Sequence, residues 1–296
     1  MYNSCTLCPK HCGVNRASGG TGFCGMPASI QVARASLHMW EEPPLSGEVG
    51  SGTVFFSGCN LGCLFCQNHQ IAHEHRGKEI SSERLSEIFL ELQEKGAANI
   101  NLVTAVHFTP HVIKALDRAK ENGLSIPVIY NSSGYESVET LRLLRGYIDV
   151  YLPDYKYRSS LLAERFSRAK DYPEVAEKAI AEMFEQVGKP IFDENGMMKK
   201  GLIVRHLVLP KHTDDSMDVL RYLHDTYGED IYISIMSQYT PCRKFPEYPE
   251  LSRKLTTYEY QKVVKFAEQI GIRNGFLQSG AAAMESFIPD FDGSGI

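Results

Sequence analysis

The sequence predicts an α/β protein built as a partial (β/α)6 barrel, a TIM-type barrel that does not close. Six short apolar runs alternate along the chain with six segments of helical spacing, which favours a parallel sheet with right-handed crossovers. In each run both the odd and the even positions are apolar, as a strand buried on both faces requires. Six units fall short of the eight that close a barrel. A six-stranded doubly wound sheet is the alternative, because one sequence does not reveal strand order.

The elements are predicted from local patterns. The strands are expected at 53–58, 99–104, 126–131, 148–153, 202–209 and 231–236, and the helices near 81–95, 110–122, 136–145, 172–187, 215–226 and 257–270. The segment SSERLSEIFLELQEKG shows the helical pattern, with Ser81 or Ser82 as the N-cap and Gly96 as the stop. Three regions follow from this pattern: a Cys-rich, metal-stapled appendage over 1–50, a core over 51–240, and an extension over 241–296 that caps the barrel.

Composition excludes several classes of function. The chain has 296 residues, a formal charge of −5 and 43% apolar residues, with no clustered Lys and Arg for a nucleic acid. The start MYNSCTLCPK is not a signal peptide, and no apolar run is long enough to span a membrane. We therefore expect a cytoplasmic protein whose eight cysteines stay reduced and serve metal binding or catalysis.

Seven of the eight cysteines lie in the first 66 residues and form two groups. The triplet, Cys59, Cys63 and Cys66, has the spacing C-x3-C-x2-C and directly follows the first predicted core strand. Three thiolates on an iron–sulfur cube leave one iron open to a small molecule. The alternative is a structural zinc knuckle completed by His69 or His73.

The second group is the quartet, which has the spacing C-x2-C-x3-C-x11-C. Four thiolates close a metal site, which indicates a structural or electron-carrying role; zinc and a second [4Fe-4S] cluster both fit, with zinc slightly favoured. The quartet consists of Cys5, Cys8, Cys12 and Cys24. Cys242 stands apart from both groups and is expected to be a buried thiol.

The triplet resembles the signature of the radical S-adenosylmethionine (radical SAM) superfamily, with Phe65 as its aromatic residue. The resemblance implies a [4Fe-4S] cluster whose open iron binds S-adenosylmethionine (SAM). Reductive cleavage of SAM then gives a 5′-deoxyadenosyl radical that takes hydrogen from a substrate. Segments such as CTLCPKHCGVNR, SLHMWEEPPLSG, GSGTVFFSGCN, NSSGYESVETL, DVYLPDYKY and ESFIPDFD are similar to the predicted pyruvate formate-lyase activating enzyme-related branch.

The resemblance also implies a SAM site at the strand ends. The expected cofactor-binding residues are Phe65, Asn68, Thr104, His107, Asn131, Ser133, Asp154 and Lys156. For His107, a backbone-bonded structural role is an equal alternative. Gln238 and Tyr239 are expected to act with the triplet at the catalytic end. Of the neighbours Arg205 and His206, strand alternation allows only one to point into the barrel.

The substrate is open to three hypotheses. The first is a small organic molecule undergoing lyase or rearrangement chemistry, for which a modified nucleobase such as a deazapurine is one candidate. The second is an activase that installs a glycyl radical in a partner enzyme, and the third is a non-catalytic iron–sulfur scaffold or redox sensor. Either enzyme needs an electron donor such as flavodoxin or ferredoxin. The first hypothesis expects residues 276–292, with Gln278, Glu285 and Asp290 as polar contacts, to cover the barrel mouth near Tyr239.

Overall fold

The computed structural model describes residues 1–278 and 288–296 and confirms an open α/β sheet. Its strands are β1 (Ile30–His38), β2 (Ser51–Phe56), β3 (Lys78–Ile80), β4 (Ile100–Val103), β5 (Val128–Ser132), β6 (Val150–Pro153), β7 (Ile191–Phe192), β8 (Met198–Leu207), β9 (Tyr232–Met236) and β10 (Gly275–Leu277). Its helices are α1 (Pro43–Ser46), α2 (His69–Ala72), α3 (Ser82–Glu94), α4 (Thr109–Glu121), α5 (Val138–Leu143), α6 (Ser160–Ser167), α7 (Tyr172–Val187), α8 (Thr213–Tyr227) and α9 (Thr257–Ile270).

The sheet is parallel through its centre. The strand order is β10-β9-β8-β6-β5-β4-β2-β1-β3, and the pairs from β10 to β2 are all parallel. All six predicted core strands and all six predicted helices are present, with ends shifted by a few residues. None of the described helices is long and apolar enough to cross a bilayer.

Side-chain alternation divides the strands between two apolar layers. Tyr130 and Val204 point toward the helices and belong to the main core, whereas their neighbours Ile129 and Ile203 belong to a separate inner cluster. We call the space on this inner face the lumen. Parallel strands buried on both faces explain why each run reads as continuously apolar.

The connection between β1 and β2 fills the lumen at the amino ends of the strands. Leu45 of α1 is fully buried in the inner cluster, and its carbonyl oxygen accepts a hydrogen bond of 2.7 Å from Nδ2 of Asn99. Asn99 directly precedes β4, and Met198, which begins β8, packs in the same cluster. The opposite end of the lumen, where the strands finish, carries the triplet.

The expected division at residue 50 needs a correction, because β1 is part of the sheet. It pairs antiparallel with β2 over most of its length and with β3 at Ile30–Val32. Only about the first 28 residues lie outside the sheet as an appendage without regular structure. The sequence did not predict β1 because a Cys- and Gly-rich context obscured its alternation.

The last described segment, residues 288–296, is called the tail. It lies along β1: the amide of Gly293 donates to Ala33 O at 3.1 Å, and the amide of Ala35 donates to Ser294 O at 3.0 Å. Arg34 also forms an ion pair of 3.2 Å with Asp292. Because β10 and β1 lie toward opposite edges of the sheet, the chain reaches both sides of the open barrel.

Candidate active site

The triplet lies in the loop over residues 57–66, which we call the triplet loop. It begins directly after β2, at the carboxyl end of the parallel sheet, where βα folds place their chemistry. Gly58 has a φ of +83°, and a Cβ there would lie 2.6 Å from the carbonyl oxygen of Cys24. A left-handed backbone and close packing thus fix the loop just before its first cysteine.

The triplet thiols lie close together, with Cys63 buried and Cys59 and Cys66 half-buried. Burial raises the pKa of Cys63 to about 11, and the nearby positive charge of Lys156 acts in the opposite direction. Burial also raises the pKa of Cys66, and the charges of Cys59 and Cys63 raise it further. A cationic metal centre would remove this penalty, because it stabilises thiolates directly.

The three thiols lack a fourth cysteine, which suits an iron–sulfur cube with one open iron, whereas a structural zinc ion needs a fourth ligand. Within 1–278 and 288–296, no three His, Cys, Asp or Glu side chains converge on one ion position. Of the histidines in the zinc-knuckle alternative, His73 has its Nε2 3.1 Å from Cys63 O, and His69 has its Nε2 3.6 Å from Glu74 and a buried Nδ1 with no hydrogen-bond partner. Three thiols spread around a larger cube satisfy the same sequence pattern.

Asp154 and Lys156 form a shielded ion pair beside the triplet. Lys156 Nζ lies 2.5 Å from Asp154 Oδ2, and the two side chains are 16% and 23% exposed. Burial lowers the pKa of Lys156, but Asp154 and the thiols of Cys63 and Cys66 together raise it above its usual value. Lys156 is therefore a firmly protonated cation that lies near the thiols of Cys63 and Cys66.

Tyr172, which the sequence analysis did not single out, ties these strand ends together. Its hydroxyl donates to Ser133 O at 2.8 Å and to Asp154 O at 3.0 Å, and it accepts from the amide of Lys156 at 2.9 Å. The ring is fully buried at the start of α7. One residue thus fixes the ends of β5 and β6, whose neighbouring side chains are the predicted SAM contacts.

Thr104 marks a strained turn at the end of β4. Its φ is +61°, a left-handed conformation that is costly for a β-branched residue, and its amide donates to Asn131 O at 2.9 Å. Thr104, Asn131 and Ser133 are all half-buried at the same end of the sheet. The structure thus brings these three predicted residues to adjacent strand ends.

His107 has the backbone-bonded arrangement that the sequence left open. Its ring is 1% exposed, and Nε2 lies 2.7 Å from Ser57 O. Burial lowers its pKa to about 3, so the ring stays neutral. Its carbonyl oxygen accepts from Arg16 Nη1 at 2.7 Å, which links the triplet loop to the appendage.

The aromatic residue of the signature packs against the last parallel strands. The rings of Phe65 and Tyr239 meet edge-on at 5.9 Å, and Tyr239 donates its hydroxyl to Leu251 O at 2.6 Å. Gln67 Nε2 donates to Gln238 O at 3.0 Å. Asn68 is half-buried and begins α2, where its carbonyl accepts the first helical hydrogen bonds. These contacts join the triplet loop to the loop after β9.

A cleft of about 340 Å³ lies between the residues that directly follow the triplet loop (Gln67, His69 and Gln70), the loop after β9 and the tail. Its lining includes Gln67, Gln238, Cys242 and Asp290. Cys242 is exposed there instead of buried as the sequence suggested. Gln278 Oε1 accepts from the amides of Ser237 and Gln238 at 2.9 and 3.2 Å, whereas Glu285 lies outside the described residues.

The lumen also contains a charged group centred on Arg205. Arg205 points inward, where Nε lies 2.8 Å from Glu42 Oε1 and Nη2 also pairs with Glu41. Asn101 Nδ2 donates to Glu41 Oε1 at 2.8 Å. His206 is 1% exposed and has Nδ1 2.8 Å from Tyr155 O, on the helical side. Arg205 and His206 therefore lie on opposite faces of β8, as strand alternation predicts.

The quartet occupies the appendage next to the triplet loop. Cys5, Cys8 and Cys24 are buried, and Cys12 is exposed. Each buried thiol lies near others of the group: the charges of Cys12 and Cys24 raise the pKa of Cys8, after burial itself. Arg16 Nη1 contacts Cys5 Sγ at 3.6 Å. The four predicted ligands therefore lie in one small region.

An open parallel barrel with three cysteines after its first parallel strand defines an iron–sulfur enzyme of the SAM-cleaving type. The family model of the radical SAM superfamily matches residues 53–223, more than half of the chain. The protein belongs to the radical SAM superfamily and is a radical SAM enzyme, and membership implies a [4Fe-4S] cluster and SAM as its cofactors. The matching model describes the superfamily as a whole and does not select the activating-enzyme branch.

The chain is similar to one uncharacterized protein, MJ0674 of Methanocaldococcus jannaschii, with 31% identity over 281 residues that cover 92% of this chain and 76% of the relative. The hydrogenase maturase HydG of Carboxydothermus hydrogenoformans superposes with a TM-score of 0.50 at 11% identity, covering 80% and 55% of the two chains. SuiB of Streptococcus suis, solved bound to SAM, gives 0.49 at 12% identity over 75% and 48%. This chain spans about half the length of these solved proteins, and the likeness shows the fold alone.

Proposed function

We propose that this radical SAM enzyme acts on a small organic molecule held in the cleft beside the triplet loop. The supporting observation is the position of the tail, whose residues line that cleft opposite Gln67. A carbon radical must be shielded from stray hydrogen donors, and closed sites suppress side reactions. Here the chain's own last residues contribute the cover that an activase would take from its partner protein.

In this proposal Cys59, Cys63 and Cys66 hold the [4Fe-4S] cluster. When bound, the cluster and SAM supply a 5′-deoxyadenosyl radical through reductive cleavage of SAM. Lys156 and Asp154 hold the charged groups of SAM, since they are a shielded pair directed toward the sulfur ligands. A reduced flavodoxin or ferredoxin in the cytoplasm supplies the electron.

Other residues position these groups. Thr104, Asn131 and Ser133 contact SAM from the neighbouring strand ends, while Tyr172 keeps those ends in register. Phe65 and Tyr239 form the apolar side of the site, and their edge-on contact excludes water from the triplet. Asn68 starts the short helix after the signature, and His107 supports the loop from behind.

The substrate would lie between Gln238, Cys242 and Asp290. These side chains offer an amide, a thiol and a carboxylate at the open end of the cleft, which suits a polar, hydrogen-bonding guest. Lyase or rearrangement chemistry on such a molecule, a modified nucleobase included, fits the proposal.

The first experiment tests the triplet. Anaerobically reconstituted protein with dithionite and SAM is expected to release 5′-deoxyadenosine and methionine. Replacing Cys59, Cys63 and Cys66 by Ala should abolish that release, because no thiolates remain to hold the cluster. Continued SAM cleavage by the triple variant would exclude the triplet as the cluster site. Cys242→Ala is the matched control and should retain cleavage without substrate.

The second experiment tests the substrate class. An extract of cells grown in deuterated medium is separated into small-molecule and macromolecular fractions, and each is incubated with the enzyme, dithionite and unlabelled SAM. Mass spectrometry of 5′-deoxyadenosine should detect deuterium from the small-molecule fraction. Deuterium arriving only from the macromolecular fraction would overturn the proposal in favour of a protein substrate, as for an activase.

A further inference from the structure

The carboxyl end of α6 packs directly against the triplet loop. The amide of Leu64 donates a hydrogen bond of 2.9 Å to Phe166 O, which ties the backbone between Cys63 and Cys66 to the last turn of this helix. The next residue, Ser167, is fully buried, and its Oγ donates to Cys63 Sγ at 3.1 Å. A side chain outside the triplet loop therefore contacts one of the expected cluster ligands.

The ends of α6 fix the position of this serine. The helix begins at the cap residue Ser159, whose side chain accepts from the amide of Leu162 at 3.3 Å. It ends at Arg168, which has a left-handed φ of +52° and whose carbonyl oxygen accepts from Lys10 Nζ at 2.8 Å. Ser167 is thus the last helical residue before a backbone reversal, and its hydroxyl is directed at the loop.

A second buried hydroxyl lies behind the first. Tyr157 is 1% exposed, its hydroxyl lies 2.9 Å from Ser167 Oγ, and its ring packs edge-on against Tyr172 at 5.6 Å. Each hydroxyl has one proton to donate. A cysteine that ligates a metal is a thiolate and can only accept. Ser167 must then donate to Cys63, and Tyr157 must donate to Ser167.

The other two triplet sulfurs accept hydrogen bonds from backbone amides close to them in sequence. The amide of Leu61 donates to Cys59 Sγ at 3.4 Å, and the amide of Asn68 donates to Cys66. These donors remain whatever side chains the two residues carry. Ser167 differs because it is 104 residues from Cys63 along the chain and donates through its side chain. One substitution can therefore remove this contact and leave the loop sequence intact.

A hydrogen bond to a ligand sulfur affects the energy of reduction. Reduction adds negative charge that is shared with the sulfur ligands, so a donor stabilises the reduced cluster more than the oxidised one. Burial strengthens this effect, and a second hydroxyl that donates to the first polarises it further. Both conditions hold for Ser167 and Tyr157, which are shielded from solvent.

We propose that Tyr157 and Ser167 raise the reduction potential of the triplet cluster through their hydrogen bond to Cys63. The inference rests on the proposed function, in which the triplet holds a [4Fe-4S] cluster. One electron passes from reduced flavodoxin or ferredoxin, which is oxidised, and the hydroxyl protons stay on their oxygens. Ser167 and Tyr157 are positioning residues, because they act on the electron acceptor through Cys63.

Ser167→Ala gives the first test. We expect the equilibrium constant for one-electron reduction of the cluster to fall about tenfold, which corresponds to about 59 mV. A redox titration of anaerobically reconstituted protein without SAM, followed by electron paramagnetic resonance, measures the potential. Ser167→Thr keeps the hydroxyl and should recover most of the wild-type value. A wild-type potential in Ser167→Ala, with the cluster fully loaded, would overturn the proposal.

The matched control is Ser51→Ala. Ser51 is also fully buried, but its hydroxyl contacts Asn99 Oδ1 at the amino end of β2, away from the triplet. Its loss should leave the potential unchanged. An equal shift in Ser51→Ala and Ser167→Ala would mean that the potential responds to any lost buried hydroxyl, and it would overturn the assignment to Cys63.

Tyr157→Phe gives a second test, which applies even where Ser167→Ala folds poorly. It removes only the outer hydroxyl and keeps the ring and the Ser167 donor. One hydrogen bond strengthens the next by roughly 10–30%, so the equilibrium constant should fall about twofold. Tyr151→Phe is the control, since Tyr151 is a fully buried tyrosine whose hydroxyl donates to Gln186. A potential in Tyr157→Phe equal to that of wild type would overturn the proposal.

Failure of the proposed function would look different from failure of this inference. If the triplet does not hold the cluster, the variant with Ala at Cys59, Cys63 and Cys66 keeps its iron and its reduction signal. If only the inference fails, the cluster is lost from that triple variant, but its potential in the other variants does not depend on Ser167 or Tyr157.

Discussion

At the scale of single residues, Lys156 and Glu136 show that a shielded ionisable side chain has measurable effects on binding or stability. Lys156 shares its shielded position with Asp154 and with the triplet thiols, so its charge acts on the site. Glu136 is 2% exposed, and its carboxylate accepts hydrogen bonds from the Tyr130 hydroxyl at 3.4 Å and from Ser132. The two residues make different predictions, one for binding and one for pH dependence.

Lys156→Met should weaken SAM binding about tenfold, roughly 1.4 kcal/mol, because it removes one charge-assisted contact and keeps the side-chain volume. The absorbance of the reconstituted cluster should stay the same. Anaerobic equilibrium dialysis with labelled SAM measures the change, and Lys178→Met, in an exposed pair with Glu174, is the control. If the affinity for SAM is unchanged and the melting temperature is lower, Asp154 and Lys156 form a structural ion pair and do not bind SAM.

Glu136→Gln should flatten the pH dependence of stability. Burial raises the pKa of Glu136 from 4.5 to about 8, so the folded state favours the protonated form. Its contribution is fully present below pH 4.5 and is lost as the pH rises toward 8. At pH 9 the Gln variant should unfold with a free energy roughly 2 to 4 kcal/mol higher than wild type. Denaturant titrations at about pH 4 and about pH 9, on either side of this window, measure the difference. The control is Glu139→Gln, at an exposed residue.

At the scale of elements, local sequence patterns predicted the six core strands and six helices but not α6, β1 or β10. The six core strands read clearly because parallel strands are apolar on both faces. Helix α6 and strand β10 are too short for a periodic signal, with 8 and 3 residues. Strand β1 belongs to the sheet only through long-range pairing with β2 and β3.

The same limit applies to the site. The common position of Thr104, Asn131 and Asp154 was predictable because parallel strands end at one edge, whereas their expected contact with SAM came from the family resemblance. Tyr172 was not, since its role depends on a contact with backbone groups from two other elements. The ion pairs of Glu41 and Glu42 with Arg205 could not be predicted from the sequence either, because Arg205 is more than 160 residues away along the chain.

The ion pairs of Arg205 with Glu41 and Glu42 in the lumen lead to a prediction about the β1–β2 connection. Arg205→Met should destabilise the protein by about 3 to 5 kcal/mol, because two shielded carboxylates lose their cation. Adding Glu41→Gln and Glu42→Gln to that variant should recover part of the loss. Urea unfolding measures both effects. If the triple variant is no more stable than Arg205→Met alone, the cost comes from packing instead of charge.

At the scale of the whole molecule, the tail connects the two sides of an open barrel. Phe291 lies 5.5 Å from the ring of Phe55 and joins a small apolar cluster with Ala33, Ile71 and Val103. Removing residues 288–296 should therefore raise SAM cleavage in the absence of substrate, because solvent-borne donors gain access to the radical. Released 5′-deoxyadenosine measures it. Leu161→Ala, a change at a residue with 74% exposure, is the control for lost apolar surface.

An unaltered rate of substrate-free cleavage after the truncation, with the cluster intact, would contradict a shielding role. Phe291→Ala separates packing from deletion, since it leaves the backbone of the tail in place. It should give a smaller effect in the same direction.

The pairing of the tail with β1 also has a consequence for biosynthesis. β1 is synthesised well before the tail, but the carbonyl oxygen of Ala33 and the amide of Ala35 bond to Gly293 and Ser294, about 260 residues later in the sequence. Until the tail has been synthesised, β1 presents a partly unpaired edge, the kind of surface through which nascent chains aggregate. Pairing of the tail with β1 is then among the last steps of folding, because the two partners are separated by most of the sequence.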